Sequence, residues 1–72
     1  MNLTEYKYRL ANKFFELRKR FNLTQEELSE ITKVSRSTIA NIEGGRQKLP
    51  LEVLLLFCSH VGIQPSEVYP EL

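Results

Sequence analysis

The sequence predicts an all-α domain of five short helices, and three observations lead there. Apolar residues recur at helical spacing, no segment alternates apolar and polar residues as a strand would, and helix start and stop residues fall between the periodic segments. At 72 residues the chain is a single domain, 1–72, with no repeat, low-complexity run or internal linker. A chain this short buries only about 60% of its unfolded surface, so its core is small.

The elements follow in order. Thr4 is a suitable cap for a first helix whose apolar residues Tyr6, Leu10, Phe14, Leu17 and Phe21 recur every three or four positions. Asn22 follows, a residue that tolerates the left-handed conformation in which many helices end. In "LTQEEL", Thr24 and Glu27 have the spacing of a capping box, and Leu23 and Leu28 that of a hydrophobic staple. Two independent devices thus start the second helix at one place, and it runs to about Thr32. Lys33 and Val34 separate it from Ser35, the cap of a third helix that stops at Gly44-Gly45. Pro50 stands where a first helical residue belongs, and the fourth helix ends at Gly62. "QPSEV" then opens a short fifth helix before Pro70.

Charge is unevenly placed. Residues 1–48 hold all ten Lys and Arg against six Glu, a formal +4, whereas residues 49–72 carry three Glu and no Lys or Arg, −3. A basic front and an acidic back point to a polyanion partner on one side. Cys58 is the only cysteine, so no internal disulfide is possible, which fits a reducing cytoplasm. No signal peptide is visible, and the longest apolar run, Val53 to Cys58, is too short to span a bilayer. The sequence has one His, no Asp and no glycine-rich phosphate loop, which argues against an enzyme. His60 lacks partners at ligand spacing, and Cys58 reads as a small core residue, so neither a metal nor a cofactor is expected.

Two short helices joined by a three- or four-residue turn form a helix-turn-helix unit, here about residues 24–44. In such units the first helix crosses the DNA backbone and the second lies in the major groove. Leu28, Val34, Ile39 and Ile42 supply the apolar contacts that lock the pair together. Ser35, Arg36, Ser37, Thr38 and Asn41 are left on a spare polar face.

"LRKRFNLTQEELSEITKVSRSTIANIEGGRQ" resembles the phage-repressor (Cro-like, xenobiotic-response-element or XRE) helix-turn-helix family, and the similarity extends from about Leu10 to Tyr69. The resemblance implies a five-helix, lambda-repressor-like domain that dimerises on a pseudo-palindromic operator, with Arg18 and Glu43 paired across the fold. Carried over by position, Arg36, Ser37 and Asn41 read bases and Thr38 assists. Gln25 at the start of the second helix and Ser35 at the start of the third would hold phosphates. Arg46 and Lys48 would clamp the DNA backbone beyond the third helix. The chemistry agrees: Arg donates two hydrogen bonds to guanine, Asn pairs bidentately with adenine, and each good pair discriminates by about 1–3 kcal/mol. Two positions depart from the family's usual pattern. Ser29 replaces a small Ala, and Lys33 replaces a turn Gly, so Lys33 must accept a positive φ at a cost of order 1 kcal/mol.

The fourth helix is apolar nearly all round, a sign of burial on more than one side. Leu51, Leu54, Cys58 and Val61 form a core stripe, and Val53, Leu56, Phe57 and His60 occupy much of the other side. With Tyr69 and Leu72, the residues Val53, Leu56 and His60 make the expected homodimer surface. Tyr8 and Phe15, off the main stripe of the first helix, would cover part of this region or form a second interface. The expected function is a cytoplasmic, sequence-specific regulator of transcription, a repressor without room for a sensing domain. The alternative is a module that holds a partner protein, with DNA binding secondary or absent.

Overall fold

A computed structural model describes residues 1–70. Four α-helices, α1 (Leu3–Arg20), α2 (Gln25–Thr32), α3 (Arg36–Glu43) and α4 (Leu51–Val61), are followed by a 3₁₀ turn at Pro65–Glu67. The fifth helix of the sequence reading is therefore a single turn. Gly62 stops α4 in the left-handed region at φ 79°, and Pro70 disfavours helical backbone in the residue before it. Too few residues lie between them for a second helical turn.

α1 begins one residue before Thr4. Asn2 caps it instead, its Oδ1 accepting the Glu5 backbone N–H at 2.8 Å. Asn caps at least as well as Thr, and Thr4 falls inside the first turn. Asn22 ends the segment at φ 57°. α2 starts on its capping box: the Thr24 hydroxyl accepts from Glu27 N–H at 3.0 Å, and Glu27 accepts from Thr24 N–H at 2.9 Å. The Thr24 backbone donor, and after it the hydroxyl, hold the Glu27 carboxyl below its usual range. Pro50 is the residue before α4, not its first, since its ψ of 145° is extended.

The turn between α2 and α3 shows how the chain accommodates Lys33. Its φ is 63°, the left-handed value a glycine would adopt freely. Nearby, the Ser29 hydroxyl donates to the Val34 carbonyl, and the Lys33 N–H donates to the Ser29 carbonyl at 2.9 Å. The hydroxyl that distinguishes Ser29 from alanine thus braces the turn that Lys33 strains.

Phe14 and Leu17 of α1, Leu28 of α2, Ile39 and Ile42 of α3, and Phe57 of α4 meet in one core. The Phe57 ring sits edge-on to Phe14 at 5.3 Å and to Phe21 at 6.3 Å, a favourable aromatic geometry. This contact sets the rotation of α4 and corrects the sequence reading. Val53, Leu54, Phe57 and Cys58 face inward, and Val53 is 2% exposed, so it belongs to the core and not to a dimer surface. Leu51, expected inside, is 63% exposed. Phe57 is the largest apolar side chain on α4, so the face that carries it packs inward.

α1 and α3 are joined by a buried ion pair. Arg18 Nε donates to Glu43 Oε2 at 2.6 Å and Nη2 to Oε1 at 3.2 Å, while Nη1 donates to the Leu23 carbonyl at 2.7 Å. The Gln25 carboxamide adds a bond to Glu43 Oε1 at 3.0 Å, so α2 joins the same network. The Phe15 ring lies 5.4 Å from the Arg18 guanidinium carbon.

Removing one member of a buried pair strands the other. Arg18→Ala is expected to lower unfolding free energy by about 3–5 kcal/mol in urea titrations. Combining Arg18→Met with Glu43→Leu should lose less than the two single changes summed, and a double variant whose loss equals that sum would exclude a coupled pair. A second expectation concerns acid. Because the folded state lowers the Glu27 pKa, its carboxylate stabilises the fold above the unfolded pKa, and this contribution fades as pH falls through the folded value. Melting temperatures of the native chain and Glu27→Gln should differ at neutral pH and converge as the pH falls through the folded pKa.

Candidate nucleic-acid interface

The α2–turn–α3 unit presents a short helix anchored from one side. Ile39 and Ile42 are 0% and 1% exposed, fixing α3 against the core, and the rest of its surface is available. The Ser35 hydroxyl accepts the Thr38 N–H at 3.1 Å and lies 2.9 Å from the Thr38 hydroxyl. Ser35 therefore secures the helix start, and Thr38, half-buried, leans on it.

Arg36 and Ser37 are exposed at the first turn of α3. The Arg36 guanidinium stands 4.0 Å from Glu26 on α2, with both side chains largely in solvent. An exposed pair of this kind contributes about 0–1 kcal/mol, so Arg36 can leave it for a stronger acceptor. Asn41, half-buried one turn further on, completes the set of expected base readers on one element.

The residues expected to hold phosphates divide. Lys48 is exposed on the α3–α4 connection. Gln25 does not stand free at the start of α2, because its carboxamide is turned toward Glu43. Arg46 is folded back onto α3, its Nε donating to Asn41 Oδ1 at 3.1 Å and its Nη2 to the Ala40 carbonyl at 3.3 Å. The sequence reading missed this link between an expected base reader and an expected backbone clamp. A signal for it was present in Gly44. Its φ of −82° suits any residue, yet an added Cβ would lie 2.4 Å from Arg46 Nη1. Gly45 is glycine for a different reason, its φ of +75°.

On α4 and after it, Leu51, Leu55, Leu56 and Tyr69 are exposed apolar residues, and His60 is exposed as well. Of the expected dimer residues, Leu56, His60 and Tyr69 thus lie at the surface, Val53 does not, and Leu72 lies outside the described residues. Cys58 is buried, and burial raises its thiol pKa, as suits a core residue. Among the described residues no three His, Cys, Asp or Glu side chains gather as a metal site would require. None of the described helices is long and apolar enough to cross a membrane.

Comparison with known proteins gives consistent matches. The chain is 37% identical over 60 residues to the uncharacterized HTH-type transcriptional regulator YgzD of Bacillus subtilis (strain 168), covering 83% of this chain and 91% of that one. Its fold is similar to the restriction-modification controller protein C.AhdI from Aeromonas hydrophila, with a TM-score of 0.76 and 26% identity over 85% of this chain and 92% of that one. The clp gene regulator ClgR from Corynebacterium glutamicum superimposes with a TM-score of 0.79 and 25% identity, over 88% of this chain and 67% of that one. Residues 15–68 match the helix-turn-helix family HTH_3. That match takes in the capped α2, the strained turn and the exposed face of α3, and the chain belongs to this family of XRE-type DNA-binding transcription regulators rather than to an enzyme class.

Proposed function

We propose that the protein reads a specific double-stranded DNA sequence as a homodimer and represses transcription from a pseudo-palindromic operator. The observation that carries this reading is the outer face of α3. Arg36, Ser37, Thr38 and Asn41 are short or donor-rich side chains on a helix whose opposite side is fully anchored by Ile39 and Ile42. Short residues let a helix approach the floor of the major groove, and Arg36 has the forked donors that suit the guanine edge. Lys48 and the Ser35 hydroxyl, both exposed, would meet phosphates, which set register and salt dependence without reading sequence.

Selection of bound duplexes from a random library tests the proposal directly, since it reports binding, half-site and spacing together. Arg36→Ala is expected to weaken operator binding by about five- to 150-fold while leaving random DNA nearly unaffected. Lys48→Ala should weaken both alike and reduce the salt slope by about one. Equal losses on every sequence from both variants would contradict base reading by Arg36. No duplex binding even at low salt would exclude the DNA function.

The exposed leucines of α4 support the homodimer reading. Two copies joined there would set their α3 helices into successive major grooves about 34 Å apart. Leu56→Lys buries a charge in that interface, so sedimentation should show a monomer at concentrations where the native chain is dimeric. An unchanged dimer would place the interface elsewhere. The same apolar face supports the second reading, in which α4 holds a different protein. A native chain that is monomeric and binds no DNA would favour it.

A further inference from the structure

Arg46, though exposed, is folded back over the end of α3. Two of its guanidinium nitrogens donate to α3, Nε to the Asn41 side chain and Nη2 to the Ala40 carbonyl, at 3.1 and 3.3 Å. The group lies flat over Gly44, where a Cβ would come within 2.4 to 2.9 Å of its atoms. The backbone closes the same loop, with Arg46 N–H and Gln47 N–H both donating to the Asn41 carbonyl at 2.9 and 3.2 Å. The guanidinium is thus bonded to α3 while its side chain stays exposed.

We propose that Arg46 is a specificity-setting residue that acts through Asn41, by fixing which end of the Asn41 carboxamide faces the DNA. This inference rests on the base-reading role assigned above to α3. Arg carries only donors, so the carboxamide must turn its oxygen to the guanidinium. The amide nitrogen is then the end left to meet a base, and it only donates. Bidentate pairing with adenine needs a donor and an acceptor from the same carboxamide. With Oδ1 committed to a charged donor, that pairing is weakened. Bases that offer acceptors in the major groove, guanine through O6 and N7 or thymine through O4, become the preferred partners. The bidentate adenine contact expected from residue type alone is therefore replaced by a contact to guanine or thymine. Arg46 belongs to the reading apparatus as a positioning residue, beyond any phosphate it meets.

The test compares affinities for a panel of operator duplexes, each changed at one base pair. Asn41→Ala identifies the position Asn41 reads, as the one where base preference disappears. At that position the native chain should favour guanine or thymine over adenine by about five- to 150-fold. Arg46→Lys keeps a positive charge but cannot reproduce the flat, two-point hold. It should shift the preference at that position toward adenine, leave the ranking at the Arg36 position intact and preserve the salt slope. Gly44→Ala, whose Cβ would displace the guanidinium, should give the same shift, with circular dichroism verifying that both variants fold. Adenine preferred by the native chain would overturn the inference. So would an Arg46→Lys variant that weakens all duplexes alike and leaves every ranking unchanged. A native chain with no preference at any position would remove the base-reading role itself, a result distinct from either of these.

Discussion

The Arg18–Glu43 pair is the constraint around which the helix-turn-helix is assembled. One guanidinium bonds both carboxylate oxygens of Glu43 and also the Leu23 carbonyl, so α1, the entry to α2 and the end of α3 share a single group. Gln25 adds the first residue of α2 to the same carboxylate. Both charges are nearly out of solvent, at 9% and 5% side-chain exposure. Desolvation makes such a pair a weak source of net stability, but a half-made pair in the interior is costly. The pair therefore contributes most by penalising other arrangements, since any α3 that slides or rotates leaves a buried charge unmatched. In a domain with so few core residues, that penalty supplies definition which packing alone would leave loose.

The same network accounts for how Gln25 is used. A glutamine at the start of a helix that crosses the DNA backbone is well placed to hold a phosphate, yet here its carboxamide faces Glu43. The first turn of α2 still presents backbone N–H groups at its positive end. Anion affinity at that point can thus come from the backbone while the side chain completes the interior network. Ser29 and Lys33 show a comparable division. The left-handed backbone at Lys33 costs stability, and the Ser29 hydroxyl bonded across the turn offsets part of it.

Local devices were the legible part of the sequence. The Thr24 box and the Ser35 cap involve groups three residues apart, so residue type and spacing suffice, and both appear as expected. The left-handed Lys33 was expected because the family the chain resembles usually has a turn Gly there. Legibility failed where a distant contact decides. The rotation of α4 depends on Phe57 meeting Phe14 and Phe21, and a helix apolar on most sides carries no periodic signal for choosing among its faces. Val53 and Leu51 changed places for that reason. Asn2 displaced Thr4 because two good capping residues stood close together. The Arg46–Asn41 contact lay outside any periodic pattern, since it depends on a loop closing over a residue with no side chain.

The division of roles on α3 also bears on why one copy of the chain is insufficient for the proposed function. On the proposed reading at most four side chains on α3 would reach bases, and each good bidentate pair separates right from wrong by about 1–3 kcal/mol. Ser37 and Thr38 are too small for bidentate contacts, so on this reading Arg36, with a contribution from the Asn41 amide, would carry most of the discrimination. Specific sites are typically bound some 4–10 kcal/mol more tightly than random DNA, and two strong readers in one half-site reach only the lower part of that range. Duplicating α3 doubles the reading energy without enlarging the domain. On the proposed reading, the exposed Leu51, Leu55 and Leu56 would supply the surface for that duplication. On that reading the small size of the reading helix and the apolar excess of α4 are linked: the second makes up for the limits of the first.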